Sequence, residues 1–286
     1  MAILPKIEEI KSTLRFLLAE KKIILSDSFY FLPGREHLIP FRLKKEKIAR
    51  DKWRRVLWIV SRLRIIPYIR LVLASGSLAI NNTSELSDLD VMIVTKHGRI
   101  WLTRLFIYIL LSLLGVRRKN FEKIAPDKFC ANHYITDESL EIPYHSIYNA
   151  QTYVNLIPIY ARDHDLFKKF REKNNWVSYF VYNWTNLNSN NKKLTLGFVG
   201  MIASVGEHLL NNRFGDWLEK LARKYQYQRI VKNPMTKQRG GRVVFNDDHL
   251  EFHPNSIEQE IITKHNERLV GLGLSNFAHE KNSGLN

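Results

Sequence analysis

Mostly apolar runs of strand length recur in the middle of the chain. Ile69 to Ser75, Leu89 to Thr95 and Lys128 to Ile135 are such runs. A shorter one lies near Leu140 to Ile142. Apolar runs of this length, bounded by turn residues, are typical of strands that are buried on both faces. We therefore predict three strands and a short fourth one between residues 67 and 145.

The region before these strands has helical periodicity interrupted by one turn. A first helix is predicted from about Lys6 to Glu20, and a hairpin follows around Asp27-Ser28. A basic helix from about Lys44 to Arg64 comes next, and Pro67 ends it. This order fits a truncated winged-helix module, and it equally fits an N-terminal extension that packs on the next domain. Both interpretations stay open at this point.

From Ser146 onward the periodicity is again mainly helical. The predicted elements are helices around Leu194 to Asn211, Asp216 to Tyr227 and Ser256 to Leu269, a hairpin from Arg242 to Phe252, and an Asn-rich loop from Asn183 to Asn191. These patterns divide the chain into a winged-helix-like segment at 1–66, a strand-containing segment at 67–145 and a mainly helical C-terminal region at 146–286.

The most apolar segment of the chain is predicted to be a buried helix. Ile100 to Val116 is strongly apolar, but Arg104 interrupts it, and the uncharged stretch from Leu105 to Val116 has 12 residues. A helix that spans a bilayer needs about 20. We therefore expect no integral membrane insertion. The one cysteine, Cys130, excludes a disulfide within the chain and favours a reducing compartment, so we expect the protein to be cytoplasmic.

Positive charge is concentrated in two parts of the chain. The net charge is +16, and Arg35 to Arg70 contains 12 Lys/Arg against three acidic residues. Lys220 to Arg242 contains eight Lys/Arg and no acidic residue. Such asymmetry indicates surfaces that bind polyanions, which include RNA, DNA and the phosphates of nucleotides.

The segment from Leu71 to Val94 contains the residues that point to chemistry. The first predicted strand ends in Gly76-Ser77, where a glycine lets the backbone turn sharply and approach a phosphate, and the serine offers a donor. Asp88 and Asp90 alternate along the start of the next strand, so both carboxylates project from one face. A divalent cation would relieve their mutual repulsion. Mg²⁺ fits, because it prefers oxygen ligands and bridges carboxylates to phosphates.

Gly76-Ser77, ten residues and then Asp88-Leu89-Asp90-Val91 resembles the signature of the DNA polymerase β-type nucleotidyltransferase superfamily, in particular its small prokaryotic branch. The resemblance implies an α+β fold with a mixed-sheet palm. It also implies the transfer of a nucleoside monophosphate from an NTP to an acceptor hydroxyl, with one or two Mg²⁺ ions. Gly76 and Ser77 would then hold the triphosphate, and Asp88 and Asp90 the metal.

The third carboxylate that the family places on a later strand has no clear counterpart here. The polar position expected on the same face is Asn132, an amide that cannot act as a base. Glu141 is the preferred substitute. His133 is expected to face the other way and to be structural. Arg99 and Arg104 follow the second strand and are candidates for phosphate contacts, or are structural cations.

A membrane-peripheral protein would require Leu105 to Val116 to be exposed. Two other functions are the leading hypotheses. The first is a Mg²⁺-dependent nucleotidyltransferase whose acceptor is a small molecule, a protein side chain or an RNA end. The second is a catalytically degenerate version of the same fold that senses nucleotides or binds nucleic acid. The intact Gly76-Ser77 and Asp88/Asp90 pairs favour the first hypothesis, and Asn132 favours the second.

Overall fold

The computed structural model describes residues 6–119, 122, 124–181, 184, 197–278 and 280. The α-helices are α1 (Ile7–Ala19), α2 (Leu38–Leu63), α3 (Gly76–Ala79), α4 (Ile100–Leu113), α5 (Ile147–Val154), α6 (Leu166–Lys173), α7 (Gly197–Leu210), α8 (Arg213–Lys232) and α9 (Glu258–Gly271). The strands are β1 (Ile24–Ser26), β2 (Phe29–Phe31), β3 (Ile69–Ala74), β4 (Leu89–Thr95), β5 (Phe129–Thr136), β6 (Ile157–Ala161), β7 (Arg242–Phe245) and β8 (His249–His253).

A six-stranded mixed sheet forms the centre of the molecule, in the order β6-β3-β4-β5-β8-β7. Strands β4 and β5 are parallel, and the other neighbouring pairs are antiparallel. Helices cover both faces, so the protein is a mixed α/β structure, compatible with the predicted α+β class. The three long apolar runs of the sequence are the three adjacent strands β3, β4 and β5, as predicted.

Both faces of β4 are buried, which explains why its sequence is apolar from Val91 to Val94. Val91 and Ile93 belong to a core that includes residues of α2, α4 and α8. Met92 and Val94 belong to a second core, formed with α5 and α6. Since successive strand residues point to opposite faces, Asp88 and Asp90 lie on the side of the second core.

The N-terminal elements follow the predicted order. The turn between β1 and β2 consists of Asp27 and Ser28, both with positive φ (49° and 66°), the geometry of a hairpin turn whose twist matches its strands. Helix α2 is longer than predicted and starts at Leu38. One of its faces, which includes Trp53 and Val56, is buried in the first core.

Two predictions about strands were wrong. Leu140 to Ile142 is not a strand, because its backbone forms hydrogen bonds with the side chain of Asn174 in place of a neighbouring strand. The Asn174 side chain accepts from the Ile142 amide and donates to the Leu140 carbonyl. In the C-terminal region, which was expected to be helical apart from the hairpin, β6 pairs with β3. The predicted Asn-rich loop from Asn183 to Asn191 lies outside the described residues, Trp184 excepted.

The apolar segment after β4 is the buried helix α4, as predicted. Ile100, Leu102 and Ile107 are among its buried residues, and α8 packs beside it. Across the described ranges of the chain, none of the helices combines the length and apolarity that crossing a membrane requires.

Candidate functional site

Gly76 forms a tight turn that brings the end of β3 against the start of β4. The amide of Ser75 donates to the carbonyl of Asp90 (3.0 Å), and the next residue, Gly76, has φ +62°. A Cβ at Gly76 would lie 3.0 Å from Oδ2 of Asp90. Glycine is therefore needed here for two reasons, the left-handed backbone and the close approach of the aspartate.

Asp88, Asp90 and Cys130 form a cluster at this edge of the sheet. Asp88 directly precedes β4, Asp90 is its second residue, and Cys130 stands opposite Asp90 on β5. Their possible ligand atoms all lie within 4.8 Å of one another. Arg118 donates a short hydrogen bond to the carboxylate of Asp88, and it lies 3.7 Å from the sulfur of Cys130.

The electrostatics of this cluster favour an added cation. Burial, and then the charge of Asp88, raise the pKa of Asp90 to about 7, although Arg118 acts in the opposite direction. Burial and the two carboxylates also raise the pKa of the Cys130 thiol well above its usual range. Cys130 is thus a neutral thiol at physiological pH, and two acidic groups compete for one guanidinium.

Helix α2 positions the loop that leads into Asp88. The ammonium group of Lys52 is buried and contacts the Ser87 carbonyl (2.7 Å), the Glu85 carbonyl (3.3 Å) and the Asp127 carboxylate (2.6 Å). Trp53 donates to the side chain of Asn81 (2.9 Å). A buried ammonium needs such partners, so α2 and this loop are held together.

Glu141 is not brought to the aspartates. Asp90 and Cys130 are opposite each other near the start of the parallel strands, whereas Glu141 comes five residues after β5 ends at Thr136. It is exposed, and it lines a cavity of about 580 Å³ together with Tyr144 and the turn that precedes His249. This cavity lies at the other end of β5, because Thr136 bonds to that same turn.

Arg99 and Arg104 also lie away from Gly76-Ser77, beyond the far end of β4. Arg99 pairs with Asp216 of α8 (2.5 Å) and stacks over Tyr68. Arg104 donates to Gln226 (2.5 Å) and lies over the ring of Phe252. Both arginines make structural contacts among α4, α8 and the sheet.

The register of β5 differs from the one expected from simple alternation. The ladder shifts between Val91 and Met92, so that Met92 pairs with His133 and Asn132 is an extra residue in the bulge. As a result, the side chain of His133 lies on the same face of the sheet as Asp90. Cys130 is the residue of β5 that pairs with Asp90 in the ladder. The expectation that His133 faces away was wrong, because a bulge cannot be read from residue parity.

Sequence reasoning did not single out Arg118, Cys130 or Tyr148 as parts of this site. Arg118 belongs to a basic triplet after α4, which gave no signal of its partner. Tyr148 lies on α5, and its pKa is raised by burial, by Glu258 and also by the charge of Asp90. It is therefore near enough to Asp90 to be affected by its charge.

The donors present fit a hard divalent cation. Asp88 and Asp90 offer carboxylate oxygens, the ligands that Mg²⁺ prefers. The raised pKa of Asp90 reflects its burial and then the charge of Asp88, and a bound cation would relieve both. The neutral Cys130 thiol is a poor ligand for Mg²⁺. The fit therefore rests on the two aspartates alone.

Comparison with known proteins adds no family to this geometry. No family model, no curated protein and no solved structure matches the chain. What the site does must be inferred from its residues.

Proposed function

We propose that this protein is a Mg²⁺-dependent nucleotidyltransferase, with a polymerase β-type palm formed around β3, β4 and β5. The observation that carries the proposal is the close approach of Gly76 to Asp90. The Gly-Ser turn therefore lies beside two carboxylates at one edge of the sheet. A triphosphate that lies on the turn would reach a metal held by Asp88 and Asp90.

In this proposal each residue has a separate task. Gly76 lets the phosphates come close to the backbone, and the hydroxyl of Ser77 donates to them. Asp88 and Asp90 hold the metal, which when bound neutralises the phosphates and polarises the one under attack. Arg118 neutralises Asp88 while no metal is bound, and it is free to contact phosphate when a metal takes its place.

The acceptor is a hydroxyl on a small molecule, a protein or an RNA end, and the reaction takes place in the cytoplasm. A polyanionic acceptor would suit the basic segments at 35–70 and 220–242. Cys130 is protonated where the family has a third carboxylate, so it does not act as a base. The proton of the acceptor hydroxyl must therefore leave through another group.

Replacing both aspartates tests the proposal. We expect Asp88→Asn with Asp90→Asn to lower Mg²⁺-dependent transfer from labelled NTP by at least about 10³-fold, because the metal loses both carboxylates. Asp163 and Asp165 form an exposed pair of the same spacing, so their double Asn variant is a matched control. Equal transfer by wild type and the Asp88/Asp90 variant would exclude the proposed site.

A second candidate function is favoured by Cys130 and Arg118. A thiol at the third position and a guanidinium on Asp88 also suit a palm that has lost catalysis and binds nucleotide as a sensor or nucleic acid as a scaffold. Calorimetry with each NTP, with and without Mg²⁺, separates these functions. Metal-dependent binding without turnover indicates the sensor, and salt-sensitive oligonucleotide binding that ignores NTP indicates the scaffold.

A further inference from the structure

Three histidines and one glutamate form a second cluster on the same side of the sheet. His249, Glu251 and His253 alternate along β8, so their side chains share a face. His133 of β5 is paired directly with Glu251 in the antiparallel ladder. We call His133, His249, Glu251 and His253 the histidine cluster.

Several distances within the histidine cluster are close to those of a coordination shell. Ligand atoms of His133, Glu251 and His253 lie within 4.8 Å of one another. Nε2 of His249 is 2.9 Å from Nε2 of His133 and 3.5 Å from a carboxylate oxygen of Glu251, and Nε2 of His253 is 3.7 Å from the other oxygen. Ligands at about 2.0–2.1 Å from a tetrahedral zinc ion are about 3.3 Å apart. The separations of 3.5 and 3.7 Å from Glu251 are within a few tenths of an ångström of that value.

Two features of the cluster are poorly satisfied without an ion. Two Nε2 atoms face each other, and one of them must keep a proton for a hydrogen bond to form, whereas an ion would use both lone pairs. Glu251 is 2% exposed, and within the described part of the chain its Oε2 has no well-formed hydrogen bond, since Nε2 of His249 stays at 3.5 Å. A buried carboxylate oxygen without a donor is costly.

The charge balance around the cluster is negative. Arg242 contacts Glu258 (2.5 Å) and Glu251 (3.4 Å), and all three side chains are buried. One guanidinium between two carboxylates leaves one negative charge uncompensated. A cation bound by the histidine cluster would supply the compensating positive charge.

We propose that the histidine cluster is a binding site for a divalent transition-metal ion, with Zn²⁺ as the expected occupant. Imidazole nitrogens select such ions over Mg²⁺, which prefers oxygen. The ion would join β5 to β8. The cluster is separate from Asp88 and Asp90, and it does not depend on the proposed transferase activity.

Calorimetric titration of the chelator-treated full chain with ZnCl₂ tests this site. We expect one ion per chain, and at least about 100-fold weaker binding by His253→Gln, because one ligand is lost. The side chain of His253 is 40% exposed, so this substitution leaves the core intact. His164→Gln, at an exposed histidine outside the cluster, should bind as the wild type does. The double variant Asp88→Asn with Asp90→Asn should also keep its zinc.

Co²⁺ gives a second measurement on the wild-type chain, which needs no variant. Four-coordinate Co²⁺ with nitrogen and oxygen ligands absorbs strongly in the visible range, and six-coordinate Co²⁺ absorbs weakly. Strong absorption that Zn²⁺ displaces, and millimolar Mg²⁺ does not, is the expected result. The proposal is overturned if the wild type binds no zinc, if His253→Gln binds as tightly as wild type, or if the Co²⁺ spectrum is six-coordinate.

Discussion

At the scale of single residues, Gly76 and Gly98 allow two effects to be separated. Both have left-handed backbones, with φ +62° and +70°. A Cβ at Gly98 would meet nothing within 4 Å, whereas a Cβ at Gly76 would press on the carboxylate of Asp90. A side chain would thus strain the backbone at both positions, but only at Gly76 would it also press on Asp90.

Gly76→Ala is therefore expected to damage both stability and binding. The left-handed alanine should lower the free energy of unfolding by roughly 1–3 kcal/mol. The displaced Asp90 should also weaken Mg²⁺-dependent NTP binding, which calorimetry measures. Gly98→Ala should show similar destabilisation in urea unfolding with unchanged binding. If Gly76→Ala binds NTP as well as Gly98→Ala does, the contact with Asp90 has no role in the site.

At the scale of elements, one side chain fastens α7 to the sheet. Glu207 accepts hydrogen bonds from the Tyr68 amide (2.7 Å) and from Arg70 of β3 (2.9 and 3.2 Å). Arg162, directly after β6, donates a further short bond. Burial alone would raise the pKa of Glu207, but these hydrogen bonds and charges outweigh it, so the pKa lies below its ordinary value of 4.5.

The sign of this shift gives a pH-dependent prediction. A carboxylate whose pKa is lowered by folding contributes stability above about pH 4.5, and this contribution is lost as the pH falls through the folded value. Glu207→Gln should thus lower the free energy of unfolding, measured in urea, by roughly 2–3 kcal/mol at pH 7. The decrease should be smaller below pH 4.5. Glu260→Gln, at an exposed ion pair with Lys264, should change stability little at either pH. A Glu207→Gln cost that does not vary with pH would contradict the assigned ionisation.

Elements that the sequence could predict are those whose signal is local. The adjacent strands β3, β4 and β5 are mostly apolar runs, and the hairpin predicted from Arg242 to Phe252 is formed by β7 and β8. Strand β6 was missed because its pairing with β3 spans more than 80 residues of sequence, and its own five residues give too little periodicity. The register of Cys130 and the partner of Arg118 likewise depend on tertiary contacts.

At the scale of the whole molecule, α1 and α2 differ in how much of their surface is buried in the core. No residue of α1 is buried, and Ile7 is 70% exposed. Helix α2 buries an entire face, and its Lys52 reaches the loop before Asp88. The sheet and its site therefore depend on α2 and not on the elements before it.

Two truncations test this difference. A chain that starts at Glu36 lacks α1 and the β1–β2 hairpin, and its thermal midpoint should stay within about 4 °C of the full chain, since less than about 1 kcal/mol of core contact is lost. Mg²⁺-dependent NTP binding should be unchanged.

A chain that starts at Ile65 lacks α2 as well. Burial of each large apolar side chain of α2 contributes about 1.5–3 kcal/mol to stability. Several of them together approach the free energy of unfolding of a typical domain, about 5–15 kcal/mol. The shorter chain should thus show no cooperative unfolding transition in calorimetry, and a cooperative transition there would mean that the sheet folds without α2.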